Sequence, residues 1–206
     1  MNKVVVLDTE TTGLANHPLL GHPEVIELAQ MEVLDSILTA YTDTEMTPME
    51  IAAWVDVYIK VHRYLPEMSI HPDAYRIHGI LAKDLRGMPK SSTCKLPADV
   101  EYIVGHNVTF DHRCLGKPDV KQICTMGLAR SINKRHNLGL DSLKLDNLIR
   151  HFYPTIAYRL IQEKHAAASD VTKTVLLLAR LCNLYLPKVT TFAALYDMQQ
   201  LLKKLK

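Results

Sequence analysis

Apolar residues open the chain in an unbroken run, with Val4, Val5, Val6 and Leu7 standing together before Asp8. A run without polar alternation marks a strand covered on both faces, as in an α/β sheet. It predicts β structure over residues 3–8, ended by a Thr-Thr-Gly turn. A second extended segment is predicted over 25–34, after the loop residues HPLLGHPE (17–24). A third, 55–62 (VDVYIKVH), alternates apolar and polar positions and reads as half exposed. Strands are also predicted over 102–106 and 119–124, with helices over 107–115, 125–134 and 142–152. Residues 166–185 place Val171, Val175, Leu178, Leu181 and Cys182 at helical spacing and stop at Leu186-Pro187. A last amphipathic helix spans 191–205, with lysines at the end where the helix dipole favours cations.

Three β segments, then alternating helices and strands, then helices alone give a mixed α/β fold with helices on both faces of a sheet. One domain over 1–186 and a C-terminal helical segment over 187–206 are expected. Residues 36–54 lie between two predicted strands and read as an insertion, in which Thr47-Pro48 has the chemistry of a helix N-cap followed by proline at the first helical position.

Composition adds a few bounds. With 206 residues, 48 % of them apolar, the chain can bury a core without staples. A net charge of +2 supplies no strong basic field, so a polyanionic partner would have to be held locally or through bound cations. Cys94, Cys114, Cys124 and Cys182 are far apart in sequence and read as reduced thiols. The chain passes from Met1 into VVVLDTE too soon for a signal peptide, and no apolar run approaches the ~20 residues of a membrane helix. A cytoplasmic protein with no membrane association is expected.

Three groups of residues carry candidate chemistry. Asp8 and Glu10, two apart at a strand end, project to the same face. Two carboxylates there repel each other and lose solvation unless a cation joins them, and magnesium suits such a pair; a plain turn would use the same residue types. In GHNVTFDHRCL (105–115), Asp111 lies about one helical turn past Asn107, and both would face one side of a helix that opens at a strand end. Asn107 as a simple helix cap, with Asp111 solvated in the first turn, explains the same spacing. In HAAASD, His165 and Asp170 are five apart, about 140° around a helix, so they cannot share a helical face. His165 then belongs to the segment before the helix, where its near-neutral pKa suits a proton acceptor, and Asp170 sits one turn inside.

The order DTETTGL, GHNVTFD, HAAASD resembles the DEDDh exonucleases, the family of the polymerase III proofreading subunit, over roughly residues 3–185. SIHPDAYRIHGI (69–80) and LGLDSLKLDNL (138–148) are similar to further family segments, and ICTMGLAR (123–130) looks most like the free-standing exonuclease X type. The resemblance implies a ribonuclease-H-like fold, a five-stranded mixed sheet with one antiparallel strand. It implies two divalent metal ions, Mg2+ with Mn2+ able to substitute. Asp8, Glu10 and Asp170 would hold one ion, Asp8 would also hold the second, and Asp111 would stand nearby through water. His165 would be the general base, and the products nucleoside 5′-monophosphates. Thr11, Leu14, Ile77, His78 and Asn107 match positions around the terminal nucleotide.

The implied activity is 3′-to-5′ hydrolysis of DNA, with single-stranded 3′ ends as substrate. The alternatives are RNA trimming and a catalytically idle module that binds nucleic acid or a polymerase. The C-terminal helix offers a surface for a polymerase or for self-association. Lys134, Arg135 and His136 read as a basic loop before residues 138–148 that either tracks an incoming strand or is a solvated run.

Overall fold

The computed structural model describes residues 3–13, 22–40, 47–161 and 166–204. Five strands, β1 (Lys3–Thr11), β2 (Val25–Val33), β3 (Lys60–Arg63), β4 (Val100–Gly105) and β5 (Lys121–Cys124), form one sheet in the order β3-β2-β1-β4-β5. β2 runs antiparallel to both β1 and β3, while β1, β4 and β5 are parallel. The expected mixed sheet with one antiparallel strand is therefore present, and β1 lies at its centre, as its unbroken apolar run requires.

Among the described residues eight helices surround the sheet: α1 (Pro48–Tyr58), α2 (Pro72–His78), α3 (Thr109–Cys114), α4 (Thr125–His136), α5 (Leu145–Phe152), α6 (Ala157–Leu160), α7 (Ala167–Tyr185) and α8 (Phe192–Lys204). Alternation along β1 divides the core. Val4 and Val6 join the larger cluster with Ile51, Leu128, Leu148 and Val175 from α1, α4, α5 and α7. Val5 and Leu7 point to the other face, where Val108 and Leu115 flank α3. Each such fully buried Val or Leu contributes about 1.5–3 kcal/mol.

Two expectations need correction. Residues 55–58 are the last turn of α1, and only Lys60–Arg63 form a strand. The misleading signal is Val57, apolar but 76 % exposed, whereas the helix buries Ile51, Ala52 and Val55 on its other side. Thr47 does start this helix: its hydroxyl accepts from the Glu50 N–H, and the Glu50 carboxylate accepts from the Thr47 N–H, a reciprocal capping box. Most of 36–54 is thus a short 3₁₀ turn (Asp35–Leu38) and the body of α1, both packed against α7. The other concerns the alternative reading of Asn107 as a helix cap: Asn107 does not cap α3. Val108 holds the cap position, and Asn107 takes a left-handed conformation (φ 68°) just before it.

Candidate active site

The site forms where β1 ends. Asp8 and Glu10 share the strand face of Val4 and Val6, the face covered by α7. Thr9 points the other way and meets α3. Its hydroxyl donates to Asp111 Oδ1 at 2.7 Å and its N–H donates to the same oxygen at 3.0 Å, fixing a buried carboxylate against the strand. The adjoining end of β4 must come close for this. A Cβ at Gly105 would lie 3.1 Å from the Leu7 carbonyl and 3.0 Å from the Val108 side chain, so glycine is what the approach allows.

On the opposite side, Asp170 sits in the first turn of α7, where the helix dipole favours a carboxylate. One turn later Lys173, only 2 % exposed, places its ammonium 2.5 Å from Asp170 Oδ1 and 2.7 Å from Asp146 Oδ1 on α5. A lysine is almost never so buried unless paired. Burial alone would lower its pKa, but Asp170 and Asp146 outweigh that and hold it above the ordinary value.

The carboxylates feel one another strongly. Burial, then Asp111, Asp170 and Glu10, push Asp8 well above the usual carboxylate range, with Lys173 opposing. Burial also raises Asp111, to about 7, against the two Thr9 hydrogen bonds that favour its ionised form. Asp8 and Asp111, raised by burial and by the carboxylates beside them, call for positive charge, and an all-oxygen set of this kind suits a hard divalent cation. Among the described residues no group of three His, Cys, Asp or Glu side chains is placed to hold a metal ion as they stand, and Asp170 is instead held by Lys173.

A cleft of about 800 Å³ opens over Asp8 and Asp170. Its other walls include Ile77, His106, Met126, Leu143, Asp146 and the exposed cations Lys144 and Arg150. Ile77 therefore lines the cleft, 40 % exposed. His78 is buried beside it; its Nδ1 accepts from the Ile80 N–H at 3.0 Å, and burial lowers its pKa. The Thr11 hydroxyl is buried and donates to the Gly13 carbonyl at 2.8 Å. Asn107 is exposed. Leu14 and His165 lie outside the described residues.

Three residues of this region were not singled out from sequence. Lys173 stands one turn after Asp170, a spacing that could have flagged it. Its partner Asp146, 27 residues away, depends on how α5 docks on α7. His106 lies inside GHN; its ring nitrogens contact the Thr125 hydroxyl and the Leu143 carbonyl, each at 2.9 Å, and burial lowers its pKa.

A ribonuclease-H-like sheet carrying acids at the end of its central strand and on two flanking helices defines a nuclease-type fold. The RNase T exonuclease family model matches residues 5–178, and the chain belongs to this exonuclease family, of the DEDDh, DnaQ-like type. Exonucleases of this type use divalent metal ions. The chain is 30 % identical over 172 residues to DNA polymerase III subunit epsilon of Rickettsia conorii, covering 72 % of this chain and 65 % of that protein. It is 29 % identical over 129 residues to exodeoxyribonuclease 10 of Escherichia coli K12, covering 62 % of this chain and 47 % of that protein. It thus spans just under two thirds of the epsilon subunit's length and about half that of the exodeoxyribonuclease. Among solved structures, exonuclease X in complex with 5′-overhanging duplex DNA superposes with a TM-score of 0.63 at 23 % identity, covering 94 % of this chain and 99 % of that one. The Escherichia coli exonuclease I complex with single-stranded DNA gives 0.61 at 18 % identity, over 96 % and 42 %. These two likenesses establish the fold. No helix among the described residues is long and apolar enough to cross a membrane.

Proposed function

We propose that the chain is a metal-dependent 3′-to-5′ exonuclease that removes nucleoside 5′-monophosphates from single-stranded DNA ends. The observation that carries this reading is the mutual charge at the end of β1, where Asp8 is raised by burial and by Asp111, Asp170 and Glu10 together, over an open cleft. Asp8, Glu10, Asp111 and Asp170 would hold two divalent ions, magnesium or in its place manganese, which when bound supply charge stabilisation to the phosphoryl group and a nucleophilic water.

The protein's own groups supply the rest. Lys144 and Arg150 on the cleft wall attract the phosphate backbone. Ile77 and Met126 offer apolar surface to a base. Thr11, Leu14, His78 and Asn107 are assigned, with Ile77, to the neighbourhood of the terminal nucleotide. His165 accepts the proton of the attacking water as the water oxygen bonds to phosphorus and the 3′-oxygen departs. His165→Asn is then expected to lower turnover by about a hundredfold or more while the affinity for Mn2+ stays within a few fold; a matching loss of affinity would make His165 a ligand.

Kinship with a polymerase subunit and with exonucleases solved on DNA supports DNA as the polymer and a polymerase as a neighbour, and α8 is the surface assigned to such contact or to self-association. The free thiols Cys94, Cys114, Cys124 and Cys182 accord with a cytoplasmic setting. The test is a time course on 5′-labelled single-stranded DNA and RNA oligomers, with magnesium or with EDTA. A ladder shortening from the 3′ end on DNA, absent in EDTA, is expected. A ladder on RNA alone would reassign the polymer, and none on either would overturn the activity.

A further inference from the structure

α4 and α8 both end in cations. Lys134, Arg135 and His136 fill the last turn of α4, and Lys203 and Lys204 that of α8. Dipole compensation accounts for a lysine or arginine at each helix end, but not for their meeting. The two helices pack together and leave a groove of about 530 Å³ between them, lined by Arg130, Lys134, Arg135 and Lys203 around Leu202. Among the described residues no acidic side chain lines it, and none of these four cations forms an ion pair with a carboxylate. His136 does not line it, and its ring lies 5.0 Å from that of Tyr185.

The groove and the catalytic cleft both begin at the first turn of α4. Met126, in the first turn of α4, lines the cleft, and the next residue, Gly127, lines the groove. Arg130 and Lys134 follow Met126 at successive i+4 positions, which turn only ~40° per step and advance ~6 Å along the axis. The opposite side of α4, with Leu128, Ala129 and Ile132, is buried in the core. A row of cations thus runs from the cleft toward the far end of the helix, rotating slowly into the groove.

We propose that the α4/α8 groove is an extended binding site for the phosphate backbone of a single-stranded nucleic acid whose 3′ end occupies the catalytic cleft. It makes α8, which lies beyond the residues matched by the family model, part of the substrate path. The inference rests on the exonuclease reading for the identity of the strand, but it concerns binding and is tested without cleavage. Apolar Leu202 on the floor gives a base or sugar something to pack on, while the four cations neutralise phosphates.

The test measures fluorescence anisotropy of labelled single-stranded DNA in EDTA, over a range of salt, for wild type and for Lys134→Glu/Arg135→Glu. A long oligomer and a dinucleotide serve as the two ligands. The charge-reversed variant is expected to bind the long oligomer at least about tenfold more weakly, with a salt slope shallower by roughly 0.7 for each phosphate it no longer neutralises. Dinucleotide binding and the melting temperature should stay unchanged. Arg135→Lys should retain the wild-type slope. Equal weakening for both ligands would place the effect in the cleft or in the fold and overturn the proposal. Unchanged binding of the long oligomer would also overturn it and leave the groove to an acidic protein surface. Absence of nuclease activity together with a groove-dependent salt slope would refute the exonuclease reading alone.

Discussion

The two sides of the sheet deliver acids to the same point and balance them by different means. On the α3 side, Asp111 is held by dipoles, the Thr9 hydroxyl and N–H, yet burial, with the Asp170 charge adding to it, still raises its pKa to about 7. On the α7 side, Asp170 is joined to a full positive charge, Lys173, which is itself shared with Asp146 on α5. Dipoles orient a carboxylate but do not cancel its charge, whereas an ammonium does both. Lys173 thus offsets only one of the two carboxylates it touches, and the remaining charge there, with Asp8 and Glu10, carries the electrostatic demand for a cation.

Changes that remove the shared centre should have the largest effect. Asp8 couples to acids from both sides, and Asp8→Ala is expected to lower DNA hydrolysis on the order of a thousandfold, measured as single-turnover rate with magnesium. Removing the α7-side cation comes next. Lys173→Met takes the ammonium away from Asp170 and Asp146 and should cost about 3 kcal/mol of stability in EDTA, by urea unfolding. Divalent ions should then stabilise this variant more than they stabilise wild type. If wild type and variant respond to metal alike, Lys173 does not share the role of counter-cation.

Smaller effects probe the α3 side. Thr9→Val keeps the shape and the N–H donor but deletes the hydroxyl, and should destabilise by about 1–2 kcal/mol. The pH dependence gives the finest contrast. Because the folded Asp111 pKa of about 7 lies above its ordinary 3.8, the native state holds an extra proton between those values. Stability in EDTA should therefore fall as pH rises through that window, in wild type more than in Asp111→Asn. Parallel stability curves would show that Asp111 is not perturbed as described.

Much of this was legible in the chain because it rests on local rules. The valine run set β1 in a doubly covered position, and the two-residue period aimed Asp8 and Glu10 to one side. The five-residue spacing placed Asp170 within a helix. What was not legible depends on docking. β3 is exposed at every position, so its sequence carries no burial signal, and the helical 55–58 segment imitated alternation through exposed Val57. The partnership of Lys173 with Asp146 and the meeting of α4 with α8 arise only when helices distant in sequence pack together. The alternative reading of Asn107 as a helix cap arose because its left-handed turn has the same residue preference as an N-cap.

The central claim, that the acids at the end of β1 form a metal site, is tested most directly by titrating Mn2+ calorimetrically into wild type, Asp8→Asn and Asp170→Asn at neutral pH. Saturable binding in wild type that is weakened at least about tenfold in each variant is predicted. Equal binding by all three, or none by wild type, would contradict it.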